Sequence, residues 1–228
     1  MNYAIILSGG TGTRLGLDLP KQYFEVNKKP IIRYVIETME QSDRVDGFLV
    51  VAAPEWQEYV QEQIFVSEKF LGFALPGENR QLSIYNGLCA LREIAKDEDV
   101  VLVQDAARPN TSERLIQQCF DLEDGVDGAM PVLPMKDTVY LSEDGKMVSS
   151  LLERKQVFAG QAPESFRFGK YLAANEALLP EKILKINGST EPAILAGMHI
   201  EMIPGDERNY KITTDVDIKK FIDEKTHC

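Results

Sequence analysis

Cysteine is scarce in this sequence: Cys89, Cys119 and Cys228 are odd in number, far apart and without CxxC spacing. That pattern indicates neither a disulfide framework nor a zinc site, and a reducing cytoplasm is the expected setting. Long apolar runs are missing too. The chain passes from Tyr3 straight into the apolar residues 4–7 with no basic stretch before them, and no run approaches the ~20 residues of a membrane span. Neither a targeting signal nor a membrane association is expected. Cations are in deficit, with 25 Lys and Arg against 36 Asp and Glu for a net charge of −11. A protein that holds duplex nucleic acid or an anionic membrane by neutralising phosphates carries the opposite balance. Both partners are therefore excluded, and each local group of basic residues becomes informative. Repeats, low-complexity tracts and interdomain linkers are also absent. The 228 residues read as a single domain, 1–228, large enough to bury its own core.

What is present is an alternation. Apolar, β-rich runs at 4–9, 48–53, 70–75, 100–105 and 128–133 are separated by segments with apolar residues at three and four spacing, as Ile84, Leu88, Leu91 and Ile94 show. This is the rhythm of parallel strands joined by amphipathic crossover helices, expected over 30–41, 55–64, 80–95 and 113–121. After Pro134 the texture changes. Apolar and polar residues alternate around the turn at 143–145, which predicts a β-hairpin leaving the α/β core. Helices near 167–179, 190–197 and 214–224 and a strand over 199–204 complete the chain.

The first apolar run leads directly into SGGTGTRLG, followed by PKQY. A glycine-rich turn after a strand directs backbone N–H groups past the strand's carboxyl end, and glycine lets a bulky anion approach closely. The turn fits neither of two known patterns. GxGxxG falls on Gly10, Gly12 and Leu15, with the last glycine missing, and GxxxxGK[ST] is absent. Arg14 and Lys21 bracket the loop and can neutralise a triphosphate that N–H dipoles satisfy only in part.

SGGTGTRLG…PKQY resembles the signature of the cytidylyltransferases that activate polyol phosphates, typified by the methylerythritol 4-phosphate and ribitol 5-phosphate enzymes. Further segments resemble that family in order: PGENRQLSIYNGL at 76–88, VQDAARP at 103–109, KDTVY at 136–140 with ERKQVFAGQAPESF at 153–166, and NYKITTDVDI at 209–218. The resemblance implies a Rossmann-like, nucleotidyltransferase-type α/β fold whose mixed, mainly parallel sheet is flanked by helices and bears a protruding β-arm. It implies that Ser8, Gly9, Gly10, Thr11, Gly12 and Thr13 wrap the phosphates of CTP, and that Arg14, Lys21, Arg154 and Lys211 do the catalytic work. Gly77, Glu78, Arg80, Ser83 and Ala106 take the remaining CTP-binding places. Asp105, Arg108, Thr138 and Arg154 take the acceptor-binding ones, with Asp105 also the expected contributor to Mg2+. The segment 136–160 would be a dimerisation arm carrying Thr138 and Arg154 toward a site across a homodimer interface.

Two departures bear on the acceptor. Ala162 stands where the family usually has threonine, and Thr190 is followed by Glu191 and Pro192 instead of an acidic pair. An alditol phosphate such as ribitol 5-phosphate is the expected acceptor, with 2-C-methyl-D-erythritol 4-phosphate as the alternative. A non-catalytic nucleotide-binding regulatory module is a further alternative, against which the full set of cations counts. In the implied reaction an acceptor already ionised at neutral pH attacks the α-phosphorus of CTP, so no strong general base is needed. The presence of only two histidines, His199 and His227, is compatible with that chemistry.

Overall fold

The apolar runs become strands because their β-branched side chains can be buried on both faces at once. In the computed structural model, which describes residues 1–10, 19–64 and 67–226, β1 (Asn2–Leu7) has four successive buried residues at its centre. A short antiparallel pair, β2 (Glu25–Val26) and β3 (Lys29–Pro30), leads into α1 (Ile31–Gln41), and β4 (Gly47–Val51), α2 (Pro54–Ile64) and β5 (Phe70–Ala74) follow. Next come α3 (Arg80–Leu91), β6 (Val100–Asp105), α4 (Glu113–Phe120) and β7 (Gly128–Pro134). The arm holds β8 (Tyr140–Leu141) and β9 (Ser150–Leu151). The chain then returns through β10 (Phe158–Gly160) and β11 (Glu164–Arg167), and ends with α5 (Phe168–Glu176), α6 (Glu191–Leu195), β12 (Ile200–Pro204) and α7 (Asp215–Thr226).

Strands β5, β4, β1 and β6 lie side by side and parallel. Beyond β6 comes β11, antiparallel to it, and then β7, which is antiparallel to β11 and accepts β12 as a parallel neighbour. Strand β10 pairs with the far end of β7, so residues 158–167 run along β7 as one antiparallel passage. The sheet is mixed and mainly parallel, as the resemblance implies. The antiparallel insertion was not visible in the apolar rhythm, because Glu-Ser-Phe-Arg has no apolar run even though its first three residues are buried. Helix α3 stops at Leu91, short of the expected 95, its last residues before β6 forming a turn.

Side chains alternate between two cores. Tyr3, Ile5, Leu49, Val51, Val101, Val103 and Phe166 pack against Ile84, Leu88 and Leu91 of α3 and Tyr171 of α5. Ala4, Ile6, Phe48, Val50 and Leu102 pack on the other face against residues of α1, α2 and α4, such as Ile36, Val60 and Ile116. Each such buried aliphatic contributes about 1.5–3 kcal/mol against remaining exposed. A smaller cluster of Ile31, Ile212, Ile218 and Phe221 ties α7 to the start of α1 and fixes the segment before α7 over the sheet's carboxyl end.

The arm departs from the expectation in one respect. Its ladder is only Tyr140 opposite Leu151 and Leu141 opposite Ser150. Tyr140, Leu141, Met147, Val148 and Leu151 are all exposed, so apolar side chains project from both of its faces and not from one alternating set.

Candidate active site

Parallel strands ending together leave a crevice at their carboxyl ends, and the helices and loops that follow them line it. Leu7 and Asp105 are register partners on β1 and β6, so the opening loop and the Asp105 segment leave the sheet side by side. Of the loop, Thr11, Gly12, Thr13 and Arg14 lie outside the described residues. Its base is held by hydrogen bonds from the PKQY segment. Gln22 donates through Nε2 to the carbonyls of Ser8 at 2.8 Å and Gly10 at 2.9 Å, and Ser8 Oγ lies 3.0 Å from the hydroxyl of buried Tyr23. Tyr23 stacks on Trp56 with ring centroids 4.5 Å apart. The PKQY segment is thus a clamp on the loop, and Lys21, opening the short 3-10 turn Lys21–Tyr23, is carried beside the loop's base.

The second wall is the turn before α3. Asn79 caps the helix by accepting from the Leu82 amide at 2.8 Å, and the Gly77 amide donates to Ser83 Oγ at 2.9 Å. A side chain at Gly77 would bring its Cβ within 2.8 Å of the Leu82 backbone carbon, so the turn requires glycine there. Ser83 is buried in this turn, whereas Glu78 stands exposed at its outer edge. Arg80 is the first residue of α3 and points across to β6.

There the predicted residues converge. Asp105 has a side chain only 9% exposed, and Arg80 Nη2 at 3.0 Å, Lys211 Nζ at 3.0 Å and Arg108 Nε at 3.4 Å all face it. Burial alone would raise its carboxyl, but the three cations overcome that and hold it well below the usual carboxylate range. Three positive groups against one carboxylate leave a positive surplus in a half-enclosed crevice, which is the electrostatic requirement for an anionic ligand. Arg108 is further fixed by an Nη1 hydrogen bond of 2.7 Å to the carbonyl of Asn209. Ala106 is buried, and its amide donates to Leu7 O at 3.0 Å, so the strand pairing continues one residue into the site.

Thr138 and Arg154 are placed elsewhere. Both sit exposed on the arm, where Arg154 Nη1 donates to the carbonyl of Lys136 at 2.9 Å, and neither shares a hydrogen bond or ion pair with the Asp105 group among the described residues.

Sequence reasoning missed Glu164. It is the register partner of Val103 on β11 and shares a sheet face with Asp105, two residues further along β6. Its carboxylate accepts from Thr190 Oγ1 at 2.9 Å. Burial raises its carboxyl to about 7 against the opposing pull of Arg80 and Thr190. The signal available was its two-residue spacing from Phe166, which places both on the core side of a short strand. Among the described residues no group of three or more His, Cys, Asp or Glu is arranged to hold a metal ion.

A family model described as IspD, 2-C-methyl-D-erythritol 4-phosphate cytidylyltransferase, matches residues 2–222. A protein of that name from Geobacter metallireducens is 33% identical, with 98% of each chain covered. A ribitol-5-phosphate cytidylyltransferase from Streptococcus agalactiae is 30% identical over 97% of this chain and 93% of its own. Among solved structures, a 4-diphosphocytidyl-2C-methyl-D-erythritol synthase superposes with a TM-score of 0.78 at 26% identity, covering 97% of both chains. The fold is shared as well with the synthase of Anaerococcus prevotii, at a TM-score of 0.83 and 21% identity, over 100% of this chain and 96% of that one. With the match running from the first strand to the last helix and through each of the segments that build the crevice, this chain belongs to the IspD family of cytidylyltransferases.

Proposed function

We propose that this protein transfers CMP from CTP to an alditol phosphate such as ribitol 5-phosphate, releasing pyrophosphate and forming a CDP-alditol. The observation that carries the reading is the convergence of Arg80, Arg108 and Lys211 on Asp105 beside the glycine loop. An oxygen of the acceptor phosphate attacks the α-phosphorus of CTP, the bond to the bridging oxygen breaks, and pyrophosphate leaves. Both reactants are anions, so catalysis consists of holding them together and stabilising charge as it builds on the transferred phosphorus and the leaving group. Lys21 and Arg14 serve the phosphates from the loop side and Lys211 from the α7 side. Arg80 and Ser83, with Gly77 and Glu78, serve the nucleoside, and Arg108 the acceptor phosphate. The acceptor phosphate is ionised at neutral pH, which is consistent with a site whose principal charged groups are cations.

Mg2+ supplies charge neutralisation at the phosphates in this reading. Among the described residues no all-protein cage is present, and Asp105, whose two oxygens face Arg80, Lys211 and Arg108, would be the one carboxylate to contribute to a hard cation held mostly by substrate oxygens. The exposed apolar arm supports a homodimer in which Thr138 and Arg154 reach the partner's acceptor site. The protein would act in the cytoplasm. Among the described residues no helix is long and apolar enough to cross a membrane.

A second reading, with 2-C-methyl-D-erythritol 4-phosphate as the acceptor, is favoured by the family model and by the Geobacter relative. Pyrophosphate release is to be measured with CTP, UTP, ATP and GTP against a panel of pentitol, hexitol and methylerythritol phosphates. Ribitol 5-phosphate with CTP is expected to give the highest kcat/KM. A maximum at the methylerythritol compound establishes the second reading, and equal rates with all four nucleotides would sink the assignment of CTP.

A further inference from the structure

Three separate segments supply the groups around Asp105, and one buried side chain joins two of them, the segment that carries Asp105 and Arg108 and the segment that carries Lys211. Asn209 is fully buried. Its Nδ2 donates to the carbonyl of Ala162 at 2.7 Å, and its Oδ1 lies 3.1 Å from Thr111 Oγ1. Its backbone carbonyl receives Arg108 Nη1 at 2.7 Å, and its amide donates to Asp206 O at 2.9 Å. On the far side of Thr111, Gln104 Nε2 donates to Thr111 Oγ1 at 3.0 Å and to the carbonyl of Asp105 at 2.9 Å. Gln104 Oε1 finds no donor among the described residues, so this amide contributes through its nitrogen alone.

Proton bookkeeping gives the chain a direction. Thr111 has one hydroxyl proton and two acceptors in reach, Arg108 O at 3.0 Å and Asn209 Oδ1 at 3.1 Å. Thr111 is the sole donor to Asn209 Oδ1 among the described residues, and a buried oxygen left without a donor is costly. The proton therefore belongs to Asn209, giving Gln104 to Thr111 to Asn209 to Ala162 as one donor-to-acceptor sequence. It crosses from the β6 segment carrying Asp105 and Arg108, through the segment carrying Lys211, to the passage preceding β11.

We propose that Asn209 is a positioning residue for the transfer reaction. Through its carbonyl it sets the guanidinium of Arg108, and through its place two residues before Lys211 it sets that amine, so both cations meet the same oxygen of Asp105. This rests on the functional reading above only for the name of the reaction.

The test pairs turnover with a probe that needs no substrate. In Asn209→Asp the Nδ2 donor becomes an anionic oxygen facing the Ala162 carbonyl. In Thr111→Val the shape is kept and the hydroxyl lost, which keeps the proposal falsifiable should the first variant fail to fold. Thr111→Ser restores the hydroxyl. Acylation of Lys211 by N-hydroxysuccinimide acetate is followed by mass spectrometry, with exposed Lys146 as the internal reference. Lys211 is expected to label several-fold faster in Asn209→Asp and Thr111→Val and at the wild-type rate in Thr111→Ser. kcat/KM for the polyol phosphate is expected to fall about tenfold in the first two and to recover in the third. Unchanged labelling of Lys211 in folded Thr111→Val overturns the proposal whatever the substrate is. Faster labelling in a protein whose wild type does not turn over CTP upholds the positioning role and rejects the functional reading instead.

Discussion

Replacing Glu164 by glutamine separates one buried titration from every other in the molecule. Glu164 is 8% exposed in the centre of the sheet, and its carboxyl rises from an ordinary 4.5 to about 7, burial outweighing the help of Arg80 and Thr190. The folded state therefore binds this proton more tightly than the unfolded chain does. Stability from this group is complete below pH 4.5 and is lost as pH rises through 7, the reverse of an ordinary salt-bridged carboxylate. At about 1.4 kcal/mol per pH unit of difference, the loss amounts to about 3 kcal/mol by pH 8, of which about 2 kcal/mol falls between pH 5.5 and 8. Glutamine keeps an oxygen for Thr190 Oγ1 and does not titrate, so the variant escapes the loss. Urea unfolding of both proteins from pH 5.5 to 8 reads the effect, because all other titrating groups cancel in the difference. The midpoint of the variant should move upward relative to wild type by ~0.7 M across this range, for an m-value of about 3 kcal/mol/M. Two midpoint curves that stay parallel from pH 5.5 to 8 would refute the claim that this carboxyl is desolvated.

Asp105 titrates with the opposite sign. Because its folded carboxyl is held low by Arg80, Lys211 and Arg108, the stability it contributes is present above about pH 4 and is lost as pH falls further, so Asp105→Asn should flatten the acid limb of unfolding. The same variant leaves three cations facing one another and should cost about 3–5 kcal/mol at neutral pH, measured by chemical denaturation. Lys21→Ala should fold normally and lose on the order of a hundredfold in kcat, and an effect confined to KM would make Lys21 a binding residue only. Mixing inactive Lys21→Ala with inactive Arg154→Ala under subunit exchange should restore part of the activity, since one site in a mixed dimer then carries neither lesion. Exchange without recovery confines Arg154 to its own subunit's site, and a monomer at micromolar concentration in analytical ultracentrifugation removes the dimer.

The parts of the fold that were legible are those whose signal is local. Residues 100–105 read as a strand because every side chain is apolar up to Gln104 and Asp105, and they form β6 over those same residues. Helix α4 was readable from Leu115, Ile116, Cys119 and Phe120, a stripe that a helix alone can bury on one side. Strand β11 was not readable, because its place between β6 and β7 is a property of the whole sheet and Glu-Ser-Phe-Arg carries little of the information itself. The site divides in the same way. Arg80, Asp105, Arg108 and Lys211 were each found through the motif that holds them. That all four meet depends on α3 starting beside the end of β6, and on the strap before α7 being held to the β6 loop by Ile212 N donating to Ala107 O at 2.9 Å. Asn209 gave no signal, since an asparagine in a polar stretch is ordinarily a turn residue in water. Its role comes entirely from being buried.

Burial also explains how a protein of net charge −11 presents a site suited to polyanions. Exposed carboxylates are screened over about 10 Å at ordinary ionic strength and contribute little inside the crevice. The charges gathered around Asp105 there are Arg80, Arg108 and Lys211, with Glu164 on the same sheet face. Asp105 does more for that site than offset charge. Without it the three cations would repel one another and relax toward solvent, and with it they are held within 3.0–3.4 Å of one carboxylate before any ligand arrives. The reorganisation an incoming triphosphate would otherwise impose has been done during folding, which is the condition under which fixed charges accelerate a reaction most. Glu164 limits how far this can go. A second full negative charge on the same sheet face would loosen Arg80 from Asp105, and the burial that keeps its carboxyl protonated up to about pH 7 preserves the pairing. The two carboxyl groups are thus driven apart by their surroundings, one ionised throughout and one neutral over much of the acidic range, as the cation cluster requires.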